Sequence, residues 1–259
     1  MDYNYHAHTS RCGHACGTQE EYVQRAIECG VRHMGFSDHM PLAFSDGHES
    51  YFRVPIAQVE DYMQTTRMLR EKYKDKLTLS VGFEVEYYPS MFDRMLQQAE
   101  DYGCEYLILG QHYIGEEWPD GTYVAYENDR PEQLQEYVDC VVTAMESGVF
   151  TYVAHPDIFN FKGDAEIYAA QMRRICAASV RCGVPLEINF LGIREGRSYP
   201  RDDFWQIVGE YGCPVTFGFD SHDPRNAYDG VSLTVAQEMV RRFGLNYIGK
   251  PELVLIQNL

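Results

Sequence analysis

The stretch AEDYGCEYLILG, residues 99–110, reads in three parts: a helix end, a glycine that stops it, and an apolar run that continues as a buried strand. Gly103 stands just past the helical residues, where a left-handed residue closes a helix at no Cβ penalty. The same order recurs as AIECG-VRHMGF at Gly30, TAMESG-VFTYVAH at Gly148 and AASVRCG-VPLEINF at Gly183, then as IVGEYG-CPVTFGF at Gly212 and MVRRFG-LNYIG at Gly244. Six copies of helix, tight turn and strand predict parallel βα units. Helix starts agree, since Thr18 and Glu21 have capping-box spacing and Pro131 suits a first helical turn ahead of EQLQEYVDCVVTAM. Strands are expected over residues 2–8, 32–38, 78–87, 105–112, 150–155, 185–190 and 214–220. Seven strands alternating with about seven helices predict a TIM-like barrel rather than an open doubly wound sheet.

The 259 residues, 45% hydrophobic and 24% charged, suffice for one core, and no linker divides them, so a single domain over 1–259 is expected. With 39 acidic against 22 basic residues the net charge is −17, a field that repels nucleic-acid backbones and anionic membrane surfaces. Neither is expected as a partner. No window approaches the ~18 apolar residues of a membrane span, and the opening MDYNYHAHTS has no secretory pattern, so a cytoplasmic location is expected. The eight cysteines do not read as a disulfide framework, and most of them read as small buried hydrophobes. No apolar face stands apart from the core pattern, which leaves oligomeric state open.

A barrel enzyme carries its chemistry at the C-terminal ends of its strands. The first predicted strand ends in His6-Ala7-His8, the second in Ser37-Asp38-His39, and the third carries Glu84. The fourth ends in His112, the fifth in His155 and the seventh in Asp220-Ser221-His222, so six of nine histidines fall on one predicted rim. His14, in the CGHAC segment, would lie in a loop over that rim. His33 sits early in its strand and reads as structural, while His48 lies in a long loop with no assigned role. Histidines with carboxylates and no paired thiolates form the donor set of a multinuclear hydrolytic site, suited to zinc, iron(II) or manganese. Bridging carboxylates hold such ions ~3.5–4 Å apart, so that a water between them ionises near neutral pH and attacks in line. Glu84 and Asp220 are the carboxylates so placed, and Asp38 is read as orienting a histidine.

These motifs resemble the PHP superfamily, named for polymerase and histidinol phosphatase: a His-x-His, an Asp-His, a Glu, two single histidines and a final Asp-x-His. The resemblance covers almost the whole chain and implies a distorted (β/α)7 TIM-like barrel. It further implies two to three divalent metal ions, with His6, His8, Glu84 and Asp220 holding one, Glu84, His112 and His155 a second, and His14, His39 and His222 a third. Within the superfamily the segments GHESYFRVPIAQVEDYMQTTRMLREKY, GFEVEYYP and EINFLGIREGRSYP resemble the histidinol-phosphatase branch of histidine biosynthesis. That branch implies hydrolysis of a small phosphate ester, L-histidinol phosphate, through a metal-bridging hydroxide. Glu84, Asp220 and His222 would then be catalytic, with Asp220 or His222 nearest the departing alkoxide. Another small ester or a nucleotide, and a non-catalytic module associated with a polymerase, are the alternatives.

Arg194 and Arg197 follow the sixth predicted strand and are expected in a loop facing the rim, where a guanidinium fork suits the substrate phosphate. Glu187 and Asn189 alternate to one side of that strand and either line the barrel or orient substrate. Phe44, Tyr51, Phe52, Trp118 and Tyr123 stand in the long loops after the second and fourth strands, placed to pack on an imidazole or to anchor the loops.

Overall fold

The structure is a computed structural model and describes residues 1–258. Strands β1 (Tyr3–Asn4), β2 (His33–His39), β3 (Thr78–Val85) and β4 (Tyr106–Leu109) are followed by a short antiparallel pair, β5 (Tyr113–Ile114) and β6 (Thr122–Tyr123). Then come β7 (Phe150–Val153), β8 (Leu186–Asn189), β9 (Pro214–Gly218) and β10 (Asn246–Tyr247). The main sheet is parallel throughout, in the order β1-β2-β3-β4-β7-β8-β9-β10. Its helices are α1 (Gln19–Glu28), α2 (Val59–Tyr73), α3 (Phe92–Asp101) and α4 (Pro131–Glu146), then α5 (Ala165–Cys182), α6 (Phe190–Glu195), α7 (Asp202–Tyr211) and α8 (Gly230–Phe243).

The ring closes where His8 N donates to Ser221 O at 2.9 Å and Ser221 N donates to His6 O at 3.2 Å, joining the chain beyond β1 to the chain beyond β9. Below that seam β10 pairs with β9, and the Tyr3 hydroxyl bonds Thr216 Oγ1 at 3.0 Å. This is a distorted TIM-like barrel of seven strands with β10 added at the seam. The expected first strand, 2–8, is split: only Tyr3–Asn4 pairs regularly, because Ala7 bridges across the seam to Ser221. The hairpin β5–β6 and helix α6 were not expected, and β10 is the run after Gly244, which was read as a strand but not counted among the seven of the barrel. All six turn glycines, 30, 103, 148, 183, 212 and 244, have φ between +63° and +81°. Thr18 and Glu21 form the capping box, and Pro131 opens α4.

Period two along the strands sorts the barrel interior. In its lower half Tyr3, Tyr5, Tyr106, Ile108, Tyr152 and Ala154 pack together. Gly35 and Gly82 make room for Tyr106, since a Cβ at either would lie within 2.6 Å of that ring or its hydroxyl. Two or four residues further along the same strands come His39 and Glu84, so the interior changes from tyrosines to ionisable groups at its C-terminal end.

Candidate metal centre

Glu84 lies at the centre of that end and is 1% exposed. Its Oε2 stands 3.5 Å from His6 Nε2, 3.5 Å from His8 Nε2 and 3.3 Å from His39 Nδ1. Its Oε1 stands 3.4 Å from His112 Nε2 and 2.9 Å from His155 Nε2. Asp220 Oδ1 lies 3.6 Å from His6 Nε2, 3.3 Å from His8 Nε2 and 3.2 Å from His222 Nδ1. His222 Nε2 meets His14 Nε2 at 3.0 Å. All nine residues proposed from the sequence as ligands therefore converge. Their donor atoms fall into overlapping groups: His6, His8 and Glu84; His6, His155 and Asp220; His39, Glu84 and His112; His14, His39 and His222.

The far side of several rings is held by another group. His6 Nδ1 lies 2.8 Å from Glu187, His8 Nδ1 3.3 Å from Asp38, and His112 Nδ1 2.8 Å from Glu86. Asp38 is in turn fixed by Thr9, whose N–H and hydroxyl donate to it at 2.9 and 2.5 Å. A carboxylate on Nδ1 sets the tautomer that leaves Nε2 bare and facing inward. Glu187 also accepts from His155 N at 3.0 Å and from Asn189 at 2.9 Å, and Asn189 bonds Asp220 at 3.0 Å, so the strand-β8 pair orients ligands from below. Among the described residues, His155 and Asp220 are the two non-glycine residues at positive φ, +32° and +46°. Backbone held there costs about 1–3 kcal/mol and is a mark of functional sites.

The site's electrostatics follow from burial opposed by charge. Burial disfavours a charged His6, yet Glu187, Asp220 and Glu84 overcome it and raise its pKa well above the usual value. His8 is raised likewise, against burial, by Asp220 and Asp38. Burial pushes Glu84 and Asp220 toward the neutral form, but the surrounding histidines hold both well below the carboxylate range. Burial, joined by the charges of His8, His112 and His14, drives His39 well down against the pull of Glu84, and His14 falls to about 4 through burial and the charges of His222 and His8. The centre thus attracts positive charge to the Glu84–Asp220 side.

These residues fit divalent metal ions. His6 Nε2, His39 Nδ1 and Asp220 Oδ1 are buried with no hydrogen-bond partner, an arrangement that costs about 1–3 kcal/mol per group unless something else satisfies it. The spacings of 3.3–3.6 Å among His6, His8, Glu84 and Asp220 are longer than the roughly 2.7–3.2 Å usual for a hydrogen bond. They match the roughly 3.4 Å that separates two ligands about 2.1 Å from one tetrahedral ion.

Above the cluster opens a cavity of about 750 Å³, whose mouth and walls carry Tyr51, Phe52, Tyr113, Tyr123 and Tyr126, with Glu195, Arg197 and Tyr199 on another side. Arg197 thus faces the site as expected. Arg194 does not: it lies on α6, which forms because Asn189 Oδ1 accepts from Gly192 N at 3.0 Å and Gly196 closes the far end in the left-handed conformation. Its guanidinium donates to Phe219 O, Asp220 O and Asp229 Oδ2 at 3.2, 3.0 and 3.1 Å, so it braces the strained Asp220 backbone instead of lining the cavity. Trp118 stacks on His48 with centroids 3.8 Å apart, and Phe44 is buried; these three anchor loops and do not line the cavity. Sequence reasoning missed Glu86, although period two places it on the same face as Glu84. It also missed Arg53, for which no pattern in the sequence gave a signal.

The sequence profile of the PHP domain matches residues 4–190, a span that contains seven of the nine candidate ligands, all but Asp220 and His222. The chain belongs to the PHP domain family. Among its relatives, a Deinococcus radiodurans protein named "Probable histidinol-phosphatase" is 27% identical over 228 residues, covering 85% of each chain. The histidinol-phosphatase of Bacillus subtilis is 22% identical over 250 residues, covering 84% of this PHP chain and 92% of its own. The crystal structure of histidinol phosphate phosphatase from Lactococcus lactis, complexed with zinc, L-histidinol and phosphate, superposes with a TM-score of 0.72 at 18% identity over 95% of each chain. That match shows a shared fold. Family, relatives and donor set together support a metal-dependent phosphatase. Among the described residues no helix is long and apolar enough to cross a membrane.

Proposed function

We propose that this chain hydrolyses L-histidinol phosphate to L-histidinol and phosphate, in histidine biosynthesis, using two to three divalent ions held by His6, His8, His14, His39, Glu84, His112, His155, Asp220 and His222. The observation that carries the proposal is the cavity itself, with a histidine and carboxylate floor, an aromatic wall and one acid–base pair, Glu195 and Arg197, on its side. A phosphate fits the floor, an imidazole ring fits the face of Tyr113 or Tyr123, and an ammonium group fits Glu195. The relatives named for this activity support the same substrate.

When bound, such ions supply a nucleophile ionised near neutral pH and neutralise the phosphate oxygens. The chain's own part is to hold the ester. Arg197 donates to Glu195 at 2.9 Å and to Tyr199 at 3.1 Å, which holds its guanidinium in the cavity wall. Glu187, Asp38 and Glu86 keep the protons of His6, His8 and His112 on Nδ1. The proton for the departing alkoxide is assigned to the Asp220–His222 pair, which lines the cavity.

The test is phosphate release from L-histidinol phosphate beside a panel of small phosphate esters, with protein reconstituted separately with zinc, iron(II) and manganese. Turnover selective for L-histidinol phosphate is the expected result. Selective turnover of another ester would discard the substrate and keep the site, and no release with any metal would overturn the enzyme reading.

A further inference from the structure

Arg53 lies between β2 and α2 and is 2% exposed. Its Nη1 donates to Met40 O at 2.9 Å, one residue beyond His39. Its Nε donates to Glu117 at 2.9 Å, and its Nη2 donates to Glu86 Oε2 at 2.5 Å and also to Glu117. Glu86 and Glu117 are themselves buried. Glu86 turns its other oxygen to His112 Nδ1, 2.8 Å away. Glu117 sits in the loop between β5 and β6, the two strands that carry Tyr113 and Tyr123 into the cavity wall. Tyr88 donates to the same Glu117 carboxylate at 3.3 Å, and Trp118 Nε1 fastens the loop to Asp46 at 2.8 Å. Phe52, the neighbour of Arg53, packs edge-on against His39 and stacks on Tyr113, with centroids 5.6 and 5.9 Å away.

This place asks for a guanidinium. It needs a permanent charge between two buried carboxylates and donors spread in one plane toward a carbonyl and both acids, which an ammonium with three donors at one point cannot reach together. We infer that Arg53 is a positioning residue with two outputs. Through Glu86 it fixes the ring of His112 in the ligand cluster, and through Glu117 it fixes the β5–β6 loop and the aromatic wall over that cluster. The inference rests on the phosphatase reading only for its kinetic part.

Three variants of the metal-loaded full chain test it: Arg53→Met, Arg53→Lys and Glu117→Ala. Each is measured for thermal midpoint, for manganese affinity after chelation, and for kcat and KM with L-histidinol phosphate and with p-nitrophenyl phosphate. Arg53→Met is expected to keep a cooperative melt, lose about 10- to 100-fold in metal affinity and lose kcat with both esters. Arg53→Lys is expected not to restore them, because the fork is missing. Glu117→Ala is expected to hold metal affinity and kcat within about 3-fold while raising KM for L-histidinol phosphate about 5-fold or more. Wild-type metal affinity in Arg53→Met, or full rescue by Arg53→Lys, would overturn the first output, and an unchanged KM in Glu117→Ala the second. Should Arg53→Met fail to fold, wild-type affinity in Arg53→Lys overturns the first output. Wild-type protein inactive on both esters would defeat the phosphatase reading, and metal affinity alone would then decide the role of Arg53.

Discussion

Gly110 lies directly against Glu84: a Cβ at position 110 would come within 2.0 Å of Glu84 Oε1 and 2.6 Å of its Cδ. The backbone there is not in the left-handed region, so alanine would bring no conformational strain of its own. The added methyl group has to displace the carboxylate that five histidines surround. Gly110→Ala is therefore expected to lower phosphate release by about 100-fold or more and to lower bound metal, with an unchanged far-UV circular dichroism spectrum. Full activity in this variant would mean that Glu84 does not need its observed position.

His6 Nε2, His39 Nδ1 and Asp220 Oδ1 have no hydrogen-bond partner in the protein, so ions bound among them would satisfy three buried polar atoms. Ions that bind only the folded chain stabilise it by about 4 kcal/mol at a thousand times their Kd. For a chain of this length that raises the midpoint on the order of 10 °C. Calorimetry before and after chelation, and again after adding metal back, is expected to show a reversible shift of this size. Glu84→Ala and Asp220→Ala are expected to fold, to lose turnover and to shrink the shift, whereas an identical shift in both would mean that the ions bind elsewhere.

Much of this was written in the sequence because two local rules act there. A glycine just past a helix marks a left-handed turn, so the alternation of helices and strands could be read at Gly30, Gly103, Gly148, Gly183, Gly212 and Gly244. Period two puts His6 with His8 and His39 above Ser37, so the rim could be read as well. What escaped was set by contacts between distant segments. Arg194 follows a strand as a phosphate-binding residue would, but the side chain of Asn189 starts a helix there and turns it toward Phe219 and Asp220. Arg53 and Glu117 are 64 residues apart, and nothing local shows that they share a buried ion pair.

Arg194 and Arg197 separate by what their loss should change. Arg194 supports the backbone of Asp220 at φ +46° and pairs with Asp229. Arg194→Ala is expected to cost about 2 kcal/mol of stability and to lower kcat with little change in KM. Arg197, whose side chain is 38% exposed, should cost no more than about 0.5 kcal/mol when replaced by alanine but raise KM about 10-fold. Urea denaturation with steady-state kinetics on both variants checks this, and the opposite pattern would return Arg194 to the substrate.

Asp157 gives a pH dependence whose sign can be fixed in advance. It is buried beyond β7, accepting from Arg201 N at 2.6 Å and Trp205 Nε1 at 3.1 Å. Burial pushes its carboxyl up to about 7 from 3.8, more than those donors and Arg201 pull it down. Between about pH 4 and 7 the folded chain keeps a proton that the unfolded chain has released, so this contribution is complete below pH 4 and is lost as pH rises through 7. The loss is on the order of 4 kcal/mol. Asp157→Asn removes the titration and keeps an oxygen for Trp205 Nε1. In metal-free protein, urea denaturation should therefore find the variant close to wild type at pH 4 and more stable than wild type at pH 8. The carboxylates of the metal centre titrate alike in both proteins, so their contribution cancels in the difference. Parallel stability profiles across that range would show that Asp157 is ionised in the folded chain throughout.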